Sequence, residues 1–125
     1  GLASPLGAFF PIPHGVVCGT LVAEATRINI SAMESREPHN RALGKYAQIG
    51  RLMTKQNLNE AEARFALVET LEDWTRRLRL PRLGAYQVVN ADIPRIVANS
   101  RGSSMKTNPI ALTDTEIAEV LLARL

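Results

Sequence analysis

Asn59-Glu-Ala-Glu-Ala-Arg-Phe-Ala-Leu-Val-Glu-Thr-Leu-Glu-Asp-Trp-Thr-Arg-Arg-Leu-Arg-Leu80 is the stretch whose reading decides the fold. Leu67, Leu71, Trp74 and Leu78 fall at i, i+4, i+7 and i+11. That spacing lines one side of an α-helix and does not fit the alternation of a strand. Asn59 followed by Glu62 has the form of a reciprocal N-terminal cap. Glu72 stands four residues before Arg76, and Asp73 four before Arg77; each such pair supports a helix by about 0.2–0.5 kcal/mol. Basic side chains gather at the end of the run, where they suit the helix dipole, and Pro81 stops it. The spacing predicts a helix over 59–80 with Leu67, Leu71, Trp74 and Leu78 inward.

The same period continues on both sides. Upstream, Leu43, Ala47 and Gly50, with Leu52 or Met53, give the inner face of a helix over about 40–53. Gly44 and Gly50 count against it, because glycine costs roughly 1 kcal/mol in a helix interior. Before a polar break at 35–39 comes a helix from Val16 to about Ile30. Val17, Leu21 and Ile28 recur on one side of it and Cys18, Val22 and Ala25 on the next, with only Glu24 and Arg27 charged. A helix apolar over most of its circumference belongs at the centre of the fold. Downstream, Asp92 is placed to cap a short helix that carries Pro94 in its first turn and runs to about Ser100. Residues 101–109 read as a loop. Thr113-Asp-Thr-Glu116 is a capping box, with Ile117, Val120, Leu121 and Leu125 following at helical spacing. No stretch alternates with period two. The expectation is an all-α bundle of about five helices, one domain over 1–125.

The bulk properties agree with a packed domain. The chain has 125 residues, 46% hydrophobic and 22% charged, a balance that supports a real core. Aromatics make up only 5%, so Leu, Ile, Val and Ala must fill it. A net charge of +3 is too small to imply nucleic acid by itself. Arg76, Arg77, Arg79 and Arg82 read as a solvated helix end, since no stacking aromatics or recognition helix accompany them. Cys18 is the single cysteine, so no internal disulfide can form, and a reducing, cytoplasmic compartment is expected. Residues 1–23 contain no Asp, Glu, Lys or Arg. Three prolines and four glycines interrupt that stretch, and no basic flank precedes it, so neither a membrane span nor a secretory signal is expected. There is no Gly-x-Gly-x-x-Gly for a dinucleotide, no Gly-x-Ser-x-Gly and no His-Glu-x-x-His.

Gly1-Leu-Ala-Ser-Pro-Leu-Gly-Ala-Phe-Phe-Pro-Ile-Pro-His-Gly15 carries the candidate chemistry. It reads as the middle of a buried region opened at Gly1. Within it, His14 stands between Pro13 and Gly15 just ahead of the apolar helix. A neutral imidazole is a good ligand for a divalent ion, but a catalytic metal needs about three protein ligands. The other histidine, His39, lies in a polar turn, and Cys18 follows His14 at i+4. By itself this is a weak metal signal, and a helix-start histidine is the simpler reading.

Pro5-Leu-Gly-Ala-Phe-Phe10, Pro13-His-Gly15, Ala91-Asp-Ile-Pro94, Asn108-Pro109 and Leu112-Thr-Asp-Thr-Glu-Ile117 form an ordered set along the chain. This set resembles the C-terminal helical domain of the iron-containing alcohol dehydrogenases. The resemblance implies a divalent metal, iron or else zinc, held by an Asp and three His between that domain and a nucleotide-binding one. His14 matches the last of those ligands. The others, and the domain that grips NAD or NADP, would precede Gly1, so the isolated 125 residues are expected to be inactive. Ser4 stands where many members carry a His thought to relay a proton; a hydroxyl can exchange hydrogen bonds but is no buffer near neutral pH. Phe9 and Phe10 are similar to an aromatic pair lining the family's substrate cleft, and Ser104 lies in the loop that faces it. The partners implied are a small alcohol or aldehyde, the absent N-terminal domain and further copies in a homo-oligomer, with neither nucleic acid nor membrane. A reading of another class remains beside this one: a free-standing helical interaction module, with nucleic acid as a candidate partner, whose gene would begin near Gly1.

Overall fold

The computed structural model describes residues 1–125, except for the side chains at positions 103 and 104. Every regular element among the described residues is helical. α1 spans Ala3–Phe9, α2 His14–Arg36, α3 Arg41–Thr54, α4 Glu60–Arg77, α5 Ile93–Ala98, α6 Ser103–Lys106 and α7 Asp114–Ala123. Two 3₁₀ turns, Leu83–Tyr86 and Asn90–Asp92, lie between α4 and α5.

α2 is the axis of the fold. Its buried positions, among them Val17, Thr20, Leu21, Ala23, Ile28, Ile30 and Met33, lie on several sides of the helix. α1, α3, α4 and α7 all pack against it. One apolar cluster joins Leu6 of α1, Val17, Leu21 and Met33 of α2, Leu43 of α3, Ile93 and Ile96 of α5, and Ile117, Val120 and Leu121 of α7. No aromatic side chain is fully buried in it, as the composition requires. α2 runs to Arg36, six residues beyond its expected end, because Ala32 and Met33 are still inward-facing.

α3 and α4 form an antiparallel pair. α3 buries Leu43, Ala47 and Gly50 as its period predicts, whereas Leu52 and Met53, expected to extend that face, are exposed where the helix ends. The glycine that counted against the helix is the one that lets it pack: a Cβ at Gly50 would overlap the Ala63 carbonyl of α4. α4 begins at the predicted cap, with Glu62 N–H donating to Asn59 Oδ1 at 2.9 Å and Asn59 N–H donating to Glu62 at 3.2 Å. Its inner face differs from the expected one. Ala63, Leu67 and Thr75 are buried, whereas Trp74 is 47% and Leu78 70% exposed. Periodicity identifies apolar rows, but only the positions of α2 and α3 decide which row is covered, and the small residues Ala63 and Thr75 face those neighbours. Arg76 and Arg77 both reach Asp73, at 3.2 and 2.9 Å, so Arg76 pairs at i−3 and not with Glu72.

Three further differences concern ends and turns. α1 forms despite Pro5 and Gly7. Proline is tolerated in a first turn, and Leu6 is fully buried. Asp92 precedes α5, but its carboxylate accepts from Val89 N–H at 2.9 Å and does not cap the helix. One helical turn, α6, interrupts the expected loop over 101–109.

α7 is held by Glu116 in two ways. Thr113 and Glu116 close the predicted capping box, at 2.9 and 3.1 Å. The same carboxylate takes a two-pronged bond from Arg36, at 2.6 and 3.0 Å, tying α7 to the end of α2. Arg36 also donates to the Ala111 carbonyl. The Arg36 bonds hold the Glu116 carboxyl below its usual range, against a smaller opposing effect of burial.

We expect Gly50→Ala to destabilise the protein by about 1–3 kcal/mol through forced separation of α3 and α4. Gly44→Ala, with open space around its Cβ, should be stabilising by about 0.4–1 kcal/mol. Urea unfolding of the two variants reads the contrast directly. A carboxyl lowered in the folded state contributes stability that is full above its unfolded value, about 4.3, and is lost as pH falls through the folded value. Glu116→Gln should therefore flatten the acid limb of stability against pH and leave its shape above about pH 6 unchanged.

Candidate functional site

His14 is the first residue of α2, directly after Pro13. Proline fixes the entry to the helix, and the imidazole is left exposed. One turn later on the same face is Cys18, a free and exposed cysteine. Its Sγ lies 3.4 Å from His14 Nε2.

Cys18 also stands on the wall of an apolar cleft of about 290 Å³. Leu2 and Ala3 at the start of α1 form one side. Val17, Leu21, Val22 and Ala25 of α2 form the second, and Met105 with Ile117 and Val120 closes the third. At its polar end sit Asn29 and Asn108. Their amides bond reciprocally, Asn29 Nδ2 to Asn108 Oδ1 at 3.0 Å and Asn108 Nδ2 to Asn29 Oδ1 at 2.8 Å. Asn108 Nδ2 donates again to the Ile110 carbonyl at 2.7 Å. A buried amide needs such partners, and this pair fixes the loop after α6 against the middle of α2. Asn29 was open to detection in the sequence: a lone amide between Ile28 and Ile30 on a buried helix demands a partner.

The other predicted residues are dispersed. Ser4 is exposed on α1. Phe9 and Phe10 do not line the apolar cleft. The Arg95 guanidinium of α5 lies 4.2 Å over the Phe9 ring and 5.9 Å from that of Phe10, a cation–π arrangement. Arg95 escaped the sequence reading although it adjoins Ala91-Asp-Ile-Pro94. The Ser104 side chain lies outside the described residues.

A second, polar cleft is lined by Thr20, Glu24, Glu72, Arg76, Arg82 and Arg124. Arg124 donates to Thr20 Oγ1 at 3.0 Å and to the Leu80 carbonyl at 2.9 Å. Burial, and then the nearby Arg82 charge, push its pKa down. Its bonds are structural, joining the C-terminal residues to α2 and to the turn after α4.

His14 and Cys18 are neighbouring side chains of types that can ligate a metal ion. Among the described residues no three of His, Cys, Asp and Glu gather closely enough to hold one. The donor set therefore fits part of a divalent site. Also among the described residues, no helix is long and apolar enough to cross a membrane.

Comparison with known proteins follows this geometry. The model of the Fe-containing alcohol dehydrogenase family, C-terminal, matches residues 1–125. A crystal structure of 1,3-propanediol oxidoreductase superposes with a TM-score of 0.82 at 21% identity, over 99% of this chain and 31% of that one. The chain thus spans about a third of that protein's length, and at this identity the likeness concerns the fold. No curated protein sequence matches.

Asn108→Ala should cost about 1–3 kcal/mol, because it strands the buried Asn29 amide. The double variant Asn29→Ala/Asn108→Ala should lose less than the sum of the singles by about 0.5–3 kcal/mol. Strict additivity in a denaturation cycle would mean the pair does not act as a unit.

Proposed function

The chain belongs to the Fe-containing alcohol dehydrogenase family, matching its C-terminal part, and on that premise we propose that it is the metal-facing helical part of an NAD(P)-dependent dehydrogenase acting on a small alcohol or aldehyde. The observation that carries the reading is the position of His14. It sits exposed at the first residue of the central helix, in contact with Cys18 on the wall of an apolar cleft.

In this reading His14 Nε2 is one ligand of a divalent ion, iron or zinc. The remaining ligands and the nucleotide-binding domain belong to sequence outside the chain. When bound, such an ion supplies Lewis acidity at the alcohol oxygen, lowering its pKa. The chain's own residues do the rest of the work assigned here. Pro13 and the following turn of α2 hold the imidazole in one direction, so orientation is set before substrate arrives. The apolar walls at Leu2, Ala3, Val22 and Met105 offer room for a short alkyl chain and keep water from it. Ser4, exposed on α1, can accept one hydrogen bond and donate another but cannot buffer near neutral pH, so proton relay would fall to water, another residue or a ribose hydroxyl. Phe9 and Phe10, steadied by Arg95, form an aromatic surface at the end of α1, proposed as an outer wall of the substrate path. Ser104, which falls within α6, remains a proposed cleft residue on the family resemblance alone. NAD or NADP, further copies in a homo-oligomer and a cytoplasmic location complete the proposal.

The full-length gene product supplied with Fe²⁺ should couple oxidation of short primary alcohols to nicotinamide reduction. His14→Ala should lower that turnover by about 100-fold or more, equivalent to ~3 kcal/mol of transition-state stabilisation, and lower bound metal measured by elemental analysis. Full metal content and turnover in His14→Ala would remove the imidazole from the site.

A further inference from the structure

Met105 is the wall residue of the apolar cleft that has room to vary, and its place is tied to Gly1. It stands on the four-residue helix α6, half-buried, and packs against the core cluster from outside. A Cβ at Gly1 would come within 2.5 Å of Met105 Cε and 3.3 Å of its Sδ. The thioether thus lies over bare backbone, a close approach that only glycine permits. Its neighbours in the cleft wall, Val17, Leu21, Ile117 and Val120, are held in the core. Methionine is unbranched and flexible and fills irregular gaps, so Met105 takes up the space that those fixed side chains leave.

What enters this cleft is selected by shape. Its volume of about 290 Å³ lies at the lower end of ligand-sized pockets, which start at roughly 300 Å³. The two amides at its polar end are bonded to each other, and Asn108 Nδ2 donates its second proton to the Ile110 carbonyl. An aliphatic chain therefore meets aliphatic walls, and each methylene withdrawn from water is worth roughly fourfold in binding until a wall stops it. We propose that Met105 is that wall: it sets the upper length of the alkyl chain the cleft accepts, so the substrate class is a primary alcohol, or its aldehyde, with a short unbranched aliphatic tail. The inference rests on the dehydrogenase reading given above and deepens it by naming the substrate class. Met105 is a specificity residue in this account and takes no part in proton or hydride movement. Beyond Cβ it holds Cγ, Sδ and Cε, about the bulk of three methylenes, so its truncation should admit a chain longer by about that much.

The test is kcat/KM of the full-length gene product, supplied with Fe²⁺, across straight-chain primary alcohols from ethanol to decanol. In the unaltered protein kcat/KM should rise with each added carbon and then stop rising. In Met105→Ala the break should move to chains longer by about two or three carbons, with the long-to-short ratio of kcat/KM raised at least about tenfold. Met105→Phe should move the break the other way, and Met105→Leu, similar in volume, should leave it close to its original position. A general loss of packing cannot shift the break in both directions, and circular dichroism with the melting midpoint checks that each variant folds. A break at the same chain length in Met105→Ala and Met105→Phe overturns the inference and leaves the dehydrogenase reading standing. No nicotinamide reduction with any alcohol in the series removes that reading, and the substrate class with it.

Discussion

The burial of α2 on nearly every side is the constraint from which the rest follows. A helix with so few charged residues in its first two-thirds has nowhere to go but the centre. Once there, its own polar groups must be satisfied from outside. Thr20 donates to the Pro81 carbonyl at 2.8 Å and accepts from Arg124. Asn29 exchanges two bonds with Asn108. Arg36 binds Glu116 and the Ala111 carbonyl. Those few bonds bring the turn after α4, the loop after α6, the start of α7 and the last residues of the chain to defined heights along one axis. Apolar burial gives the assembly its cohesion, and the polar bonds set its register.

That register positions the candidate site. The N-terminal turns of α2 bury Val17 in the core and carry His14 and Cys18 at the surface. α1 folds back beside it through Leu6, and the loop held by Asn108 brings Met105 across from Ala25. A cleft results between elements far apart in sequence. Its walls are apolar because the same side chains continue the core, and Cys18, beside His14, stands on one of them.

Much of this was legible in the sequence, and the parts that were not have physical reasons. Capping boxes at Asn59 and Thr113 are local chemistry, so their helices began where the residues indicated. The centrality of α2 followed from its lack of charge. The inner face of α4 was misread at Trp74 and Leu78, because apolar spacing says nothing about which row a neighbour covers. α1 escaped notice since Pro5 and Gly7 mask a short helix that exists through the burial of Leu6. In the candidate site the residues around His14 gave only a weak metal signal and the family resemblance gave it its weight, whereas its adjacency to Cys18 follows from simple helical spacing. Leu2, Ala3 and Met105 could not be assigned to one cleft, as only the folded chain brings them together. The Arg95 stack on Phe9 depends likewise on how α5 docks.

An anomalous difference map from crystals of the full-length gene product, recorded at the absorption edge of its native metal, tests the central claim most directly. The account predicts one peak at about 2.0–2.2 Å from His14 Nε2, on the side of α2 that faces Cys18. A metal peak held wholly by other residues, with His14 out of bonding distance, would contradict it.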